Sequence, residues 1–299
     1  MIDLGRQPRY AEAVAKAALL LCAAISVLTT VGIIVALGSQ TIEFFQRVPV
    51  AEFFGSASWA PTFAEPSFGV LPLLSATLMV TGIGLLVAVP IGVGCAIYLS
   101  EYARPRVRAT LKPVLELLAG IPTVVFGYFA LTFITPHIAQ KVLPETGVFN
   151  VLSAGLVVGI MIVPLIASIS EDALRAVPQS LREAAYGLGS VRRTVALRVV
   201  LPAAFSGVAA GVVLGASRAI GETMVVAIAA GQLAQIASDP RDPAQTMTAY
   251  IVQVSLGDTP AGSTAYLTIF ALGATLFAIT FALNVLAGRI VGRVRERYE

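Results

Sequence analysis

The sequence predicts an all-α integral membrane protein of six transmembrane helices with both termini cytoplasmic. Three observations carry that expectation. Only 12% of the 299 residues are charged and 57% are hydrophobic, whereas a soluble domain averages about 25% charged residues. The charges are missing from long stretches, each enough for the ~20 apolar residues that cross a bilayer as a helix. Those stretches are continuous, unlike the ~10-residue alternating strands of a transmembrane barrel. With a mean hydropathy of +0.85, disorder, nucleic-acid binding and an ordinary cytosolic enzyme are poor readings despite a pI near 9.0.

The first charge-free run is 17–42. It is too long for a secretory h-region of about 7–15 residues and lacks a small-x-small cleavage site, so it reads as a retained helix. Residues 1–42 are thus an N-terminal segment and first span, and 43–66 an external loop. The loop's Phe44, Phe45, Phe53, Phe54, Trp59 and Phe63 suit a belt at headgroup level or a docking surface for an external protein; both readings stay open. The core, 67–299, holds the other five spans: charge-free runs at 66–100, 117–140, 146–170 and 259–288, and the run 199–238, interrupted only by Arg218 and Glu222. Cys22 and Cys95 lie in different runs without paired spacing and read as packing residues.

Cations set the orientation, because short Lys- and Arg-rich loops stay cytoplasmic. One side collects Arg6, Arg9 and Lys16; Arg104, Arg106, Arg108 and Lys112; Arg175, Arg182, Arg192, Arg193 and Arg198; and Arg289, Arg293, Arg295 and Arg297. The other side holds Arg47, Lys141 and Arg241, and Arg218 falls within a span.

The inward loop 171–202 is built for more than connection. Pro178 breaks the chain, Ser180 with Glu183 has capping-box spacing, and Ala184 and Ala185 let another surface approach closely. Gly189 supplies a turn, and a second short helix is expected from Ser190 to Leu201. Pro202 suits the first turn of the next span.

Glu183-Ala184-Ala185, then three residues, Gly189, nine residues, and Val199-Val200-Leu201-Pro202 resemble the EAA loop of ABC-importer permeases, with Val199 where the family has Ile. The stretches Phe68-Gly69-Val70-Leu71-Pro72 leading to Thr77, Glu116 through Gly127, and Arg218-Ala219-Ile220-Gly221-Glu222-Thr223 are similar to the Pst-type phosphate permeases. Trp59 and Pro61 lean toward the PstC-type subunit over the PstA-type. Ser217 stands where many relatives have Gly. The similarity runs from about residue 59 onward. It implies the type I ABC importer permease fold in a bacterial cytoplasmic (inner) membrane. It also implies a PstA-like second permease, two PstB-like ATPase subunits and an external PstS-like phosphate-binding protein. Glu183, Ala184, Ala185, Gly189, Leu201 and Pro202 would form the ATPase contact. The chain itself is expected to bind no cofactor and no metal, ATP and Mg being used by the ATPase.

Arg218 is costly within a span and marks a bundle interior or watery path. Glu222 lies four residues on, within reach of a salt bridge on a helical face. Gly215, Gly211 and Gly207 continue that face backwards in the small-xxx-small pattern of close helix approach. One reading is a structural Arg218–Glu222 pair. The favoured one is an anion site on the pathway, because an apolar pair would pack without desolvation cost. Glu222 is then expected to occupy Arg218 when the pathway is empty, with Thr223, Ser217 and Thr123 adding hydroxyl contacts. A break near Gly221 or Gly231 is expected. Pro90, Gly92, Gly94, Pro122 and Gly127 permit kinks, as hinges or as packing positions.

No phosphate-loop pattern surrounds Lys16, Lys112 or Lys141, His137 is the single histidine, and Glu116 has no evident acid/base partner. The expected function is therefore not enzymatic: a phosphate permease driven by a separate ATPase. The alternatives are a permease for sulfate or molybdate and an ion-gradient-driven anion transporter.

Overall fold

A computed structural model describes residues 10–294; Arg6, Arg9, Arg295 and Arg297 lie outside the described residues. Helix α1, Tyr10–Arg47, extends beyond residue 42, where the external loop was expected to begin, and Arg47 pairs with Glu43 one turn earlier. A short helix α2, Val50–Gly55, and two antiparallel strands, β1 (Trp59–Ala60) and β2 (Ser67–Phe68), follow, with Trp59 opposite Phe68. Helix α3, Leu71–Tyr102, ends in a π-helical turn over Tyr98–Tyr102. Next come α4 (Pro105–Ala119) and α5 (Thr123–Val142), at 87° to each other, and α6 (Val151–Arg175). The loop beyond it forms α7 (Gln179–Gly187) and α8 (Arg192–Ala203), which meets α9 (Phe205–Ile220) at 72°. The chain closes with α10 (Met224–Ala229), α11 (Met247–Leu256) and α12 (Thr264–Val294).

Among the described residues four helices are long and apolar enough to span a bilayer, and counting each bent pair as one broken span brings the number to six. The third expected span breaks because Pro122 caps α5 and its ring crowds the backbone of Ile121, disfavouring helical geometry there. Pro202 does not open the fifth span. It lies at the end of α8, and the span starts anew at Phe205 after Ala204 turns the chain.

Glycine lets three helices meet almost backbone to backbone. A Cβ on Gly159 of α6 would sit 2.8 Å from the Gly84 carbonyl oxygen of α3, and one on Gly92 would touch Ile166. On α9, Gly207, Gly211 and Gly215 face Ala173, Ile169 and Ile166, so the expected small-xxx-small seam is present and α6 is its spine. Lipid supplies little hydrophobic drive between helices, so such contacts carry their association. Gly159→Leu should therefore destabilise the fold by at least the ~1–3 kcal/mol typical of overpacking, read as a lower unfolding temperature in detergent. Gly82→Ala, whose Cβ meets nothing within 4 Å, should leave it unchanged.

Most of the loop's aromatic rings turn inward and pack on one another and on the bundle. Phe44, Phe53, Trp59 and Phe68 are buried with Tyr250, Met247, Leu267 and Leu272, and Trp59 meets the Tyr250 ring edge-on at 5.0 Å. The loop folds inward because Val70 donates to the Phe53 carbonyl at 2.8 Å while β1 pairs with β2. Phe54 and Phe63 stay exposed. Helix α1 joins this end through Thr41, which donates to the Phe270 carbonyl, and Arg47, which donates to that of Gly262. Its side chains from 12 to 36 are exposed within this chain.

Candidate coupling and translocation sites

The loop carrying the Glu183 motif does form two helices, with corrections to its caps. Helix α7 is capped by Pro178 without a side-chain hydrogen bond, so Ser180 and Glu183 make no capping box; helical geometry starts one residue before Ser180. Gly189 has φ +80, the left-handed turn that glycine favours. The second helix begins at Arg192 after Val191, later than Ser190, and carries Leu201 and Pro202 in its last turn. Glu183 and Ala184 face outward, whereas Ala185 packs inward among Leu174, Val195 and Val200. Leu188, 88% exposed, and Val191 stand beside them, a protruding apolar tip.

Behind that tip lies a network of buried charges that the sequence reading missed. Arg182 of α7 donates to the carbonyls of Val177 and Leu174 at 2.6 and 2.8 Å, and to the Glu101 carboxylate at 3.0 Å. Both charged partners are buried. Helix α7 is thereby bonded to the ends of α3 and α6. Next to it, the Glu171 carboxylate, 0% exposed, accepts from Arg108 at 2.7 Å and from Lys112 at 2.8 Å, tying α4 to α6. A buried charge persists only when paired and hydrogen-bonded, and these are. The Arg-rich loops thus gather at one end of the bundle.

At the opposite end, the Arg241 guanidinium, hydrogen-bonded to Asp239, holds that carboxyl below its usual range, and it bridges to Glu145 at 2.8 Å. The same segment supplies the carbonyls of Asp242 and Pro240 to the N–H groups of Val151 and Leu152. Those are orphan donors of the first turn of α6.

Between the two ends, Arg218 lies one turn beyond Gly215, level with the middle of α6, and its side chain is exposed within the chain. It makes no ion pair with Glu222. Helix α9 ends at Ile220 with Gly221 as its C-cap, so the four-residue spacing no longer places both residues on one helical face. Glu222 instead accepts from the backbone N–H groups of Met224 and Val225 at 3.1 and 3.2 Å, and its carbonyl accepts from Thr248. It braces the start of α10. The expected break at Gly221 is therefore present, and Gly231 adopts φ +92 where the chain leaves α10. Thr223 donates to the Gly221 carbonyl, and the Ser217 hydroxyl is buried without a partner. Thr123 sits at the first turn of α5, half-buried. The structure brings Ser217, Arg218, Glu222 and Thr223 to one helix break, and it records no bond from Thr123 to any of them.

Residues 88–296 match the family described as binding-protein-dependent transport system inner membrane component. The chain is 38% identical over 267 residues to the probable ABC transporter permease protein YqgH of Bacillus subtilis, an alignment covering 89% of this chain and 86% of that one. It is 32% identical over 292 residues to the phosphate transport system permease protein PstC of Mesorhizobium japonicum, covering 89% and 87%. Among solved structures, a chain of a bacterial alginate ABC transporter, crystallised with an alginate pentasaccharide-bound periplasmic protein, superposes with TM-score 0.66 at 16% identity over 97% of this chain and 98% of that one. That likeness bears on the fold.

Proposed function

The chain belongs to the family of binding-protein-dependent transport inner membrane components, as a multi-pass permease of the ABC importer type, and we propose that it is the PstC-like subunit of an ATP-driven phosphate importer. The observation that carries the substrate is the identity to a phosphate permease over most of both chains. Arg218 is the chemical feature that agrees with it. An Arg fork matches phosphate oxygens with parallel charge-assisted hydrogen bonds, and here the guanidinium is not neutralised by Glu222. The unpartnered Ser217 hydroxyl adjoins it.

In this reading the Arg-rich end is cytoplasmic, and the outward face of α7, with Glu183, Ala184 and the Leu188 tip, docks on a separate ATPase that uses ATP and Mg. A PstA-like permease would complete the pathway and an external PstS-like protein would deliver the anion. Movement of the ATPase reaches the bundle through Arg182, whose bonds to Leu174, Val177 and Glu101 make α7 and the ends of α3 and α6 one body. Glu222 positions the helix break and leaves Arg218 free for the anion.

Vesicles reconstituted with the assembled complex should accumulate labelled phosphate only with ATP inside, and excess sulfate should not compete. Competition by sulfate would move the assignment to another oxyanion, and uptake without ATP would favour the ion-gradient alternative.

A further inference from the structure

The basic end holds a feature that the transport reading does not use. A cavity of about 460 Å³ opens beside α7, lined by Arg108, Arg175, Arg182, Arg192, Glu101 and Gln179. Its charge is unbalanced. Arg182 is occupied by Glu101 and two carbonyls, and Arg108 gives its Nε to Glu171. Among the described residues Arg175 has no carboxylate partner, and Arg192 has only the face of the Tyr102 ring, 5.1 Å from its centroid.

At Leu99 this cavity meets a second hollow of about 420 Å³, lined by Pro90, Ile91, Gly94, Cys95, Leu111 and Leu115. That hollow is almost wholly apolar and lies between α3 and α4. A third hollow continues from Pro90 along α3 past Val89, Leu86 and Leu85. At 1.5 Å per residue, Leu99 to Pro90 spans about 14 Å, close to the ~15 Å of hydrocarbon in one leaflet.

We propose that the arginine cavity and the α3–α4 groove form one binding site for an anionic phospholipid, with the headgroup phosphate on Arg175 and Arg192 and an acyl chain along Pro90, Gly94 and Cys95. Basic pockets at the ends of membrane helices hold such headgroups. A small anion would fill the cavity and leave the groove empty. An acidic protein surface would answer the arginines but not an apolar groove that runs one leaflet deep. The site adjoins the Glu101–Arg182 pair, so a seated lipid would brace the joint between α7 and the bundle. The proposal rests on the chain's membrane placement and not on the identity of the transported anion.

Native mass spectrometry of the purified complex, with phosphatidylglycerol or phosphatidylcholine added to the micelles, tests it. Phosphatidylglycerol should be retained at least roughly tenfold more, and the preference should vanish in Arg175→Gln/Arg192→Gln. Gly94→Leu keeps the arginines and places its side chain in open space, where a Cβ meets nothing within 4 Å; it should also lose the lipid, and it keeps the test decisive if the arginine variant fails to assemble. Equal retention of the two lipids, retention by Gly94→Leu, or displacement by millimolar inorganic phosphate would overturn the proposal. So would binding to the isolated chain that disappears in the complex, since a second permease would then be what fills the groove.

Discussion

Replacing Arg218 by Gln should reduce ATP-driven phosphate uptake to background, a fall of roughly 100-fold or more, while subunit assembly and ATP binding stay intact. A charge-assisted hydrogen bond is worth about 1.5–3 kcal/mol, tenfold in an equilibrium for every ~1.4 kcal/mol, and a guanidinium offers two in parallel. Arg218→Lys retains the charge and loses the fork, so it should fall between. The position of Glu222 adds a discriminating arm. Glutamine keeps an acceptor oxygen for the Met224 and Val225 N–H groups, so Glu222→Gln should transport nearly as well as the parent, whereas Glu222→Leu should fail by loosening α10. Uptake by Arg218→Gln within a few-fold of the parent would sink the assignment.

The second large effect is expected at Arg182. Arg182→Met leaves the Glu101 carboxylate buried without its cation, and breaking a buried pair in this way costs about 3–5 kcal/mol. Unfolding in detergent should therefore shift down by several degrees, and uptake should fail. The double variant Glu101→Leu/Arg182→Met removes the stranded charge and should recover most of the stability, since apolar replacements of buried pairs are often neutral or better. Transport should stay low even so, because α7 has still lost its bonds to the Leu174 and Val177 carbonyls. A double variant that transports normally would show that Arg182 serves stability alone. An unchanged melting curve for the single variant would show that the pair is not buried in the assembled complex.

Much of the architecture was legible in the sequence because a bilayer imposes it. Charge-free runs marked the spans, the glycines four apart on α9 marked the seam with α6, and Gly221 marked the break beside Arg218. What escaped depends on contacts between distant residues or on where a helix stops. Glu101 and Glu171 read as the ends of apolar runs, and their partners lie 81 and 63 residues away. No local pattern links Arg182 to Glu101. The Arg218–Glu222 spacing was read correctly as a number and wrongly as geometry: a helix ending two residues before Glu222 turns a side-chain partner into a backbone cap. The loop aromatics look alike in sequence whether they face lipid, a partner or one another, and only the hairpin that turns Trp59 toward Tyr250 decides. The Glu183 motif marked the position of α7 but not the orientation of its residues, where Ala184 looks out and Ala185 looks in.

The glycine seam through α6 is held by shape and not by exclusion of water. Glycine has no rotamers to freeze, so joining α3, α6 and α9 forfeits no side-chain freedom at those positions, and a detergent tail satisfies the outer surfaces as well as a lipid tail does. Ionic strength barely reaches such contacts. The arginine-rich end answers to different variables, since partly exposed charges feel screening. A chain assembled this way has two regimes of resilience: a centre insensitive to the chemistry of its surroundings, and a rim whose cohesion tracks the salt and the amphiphiles around it.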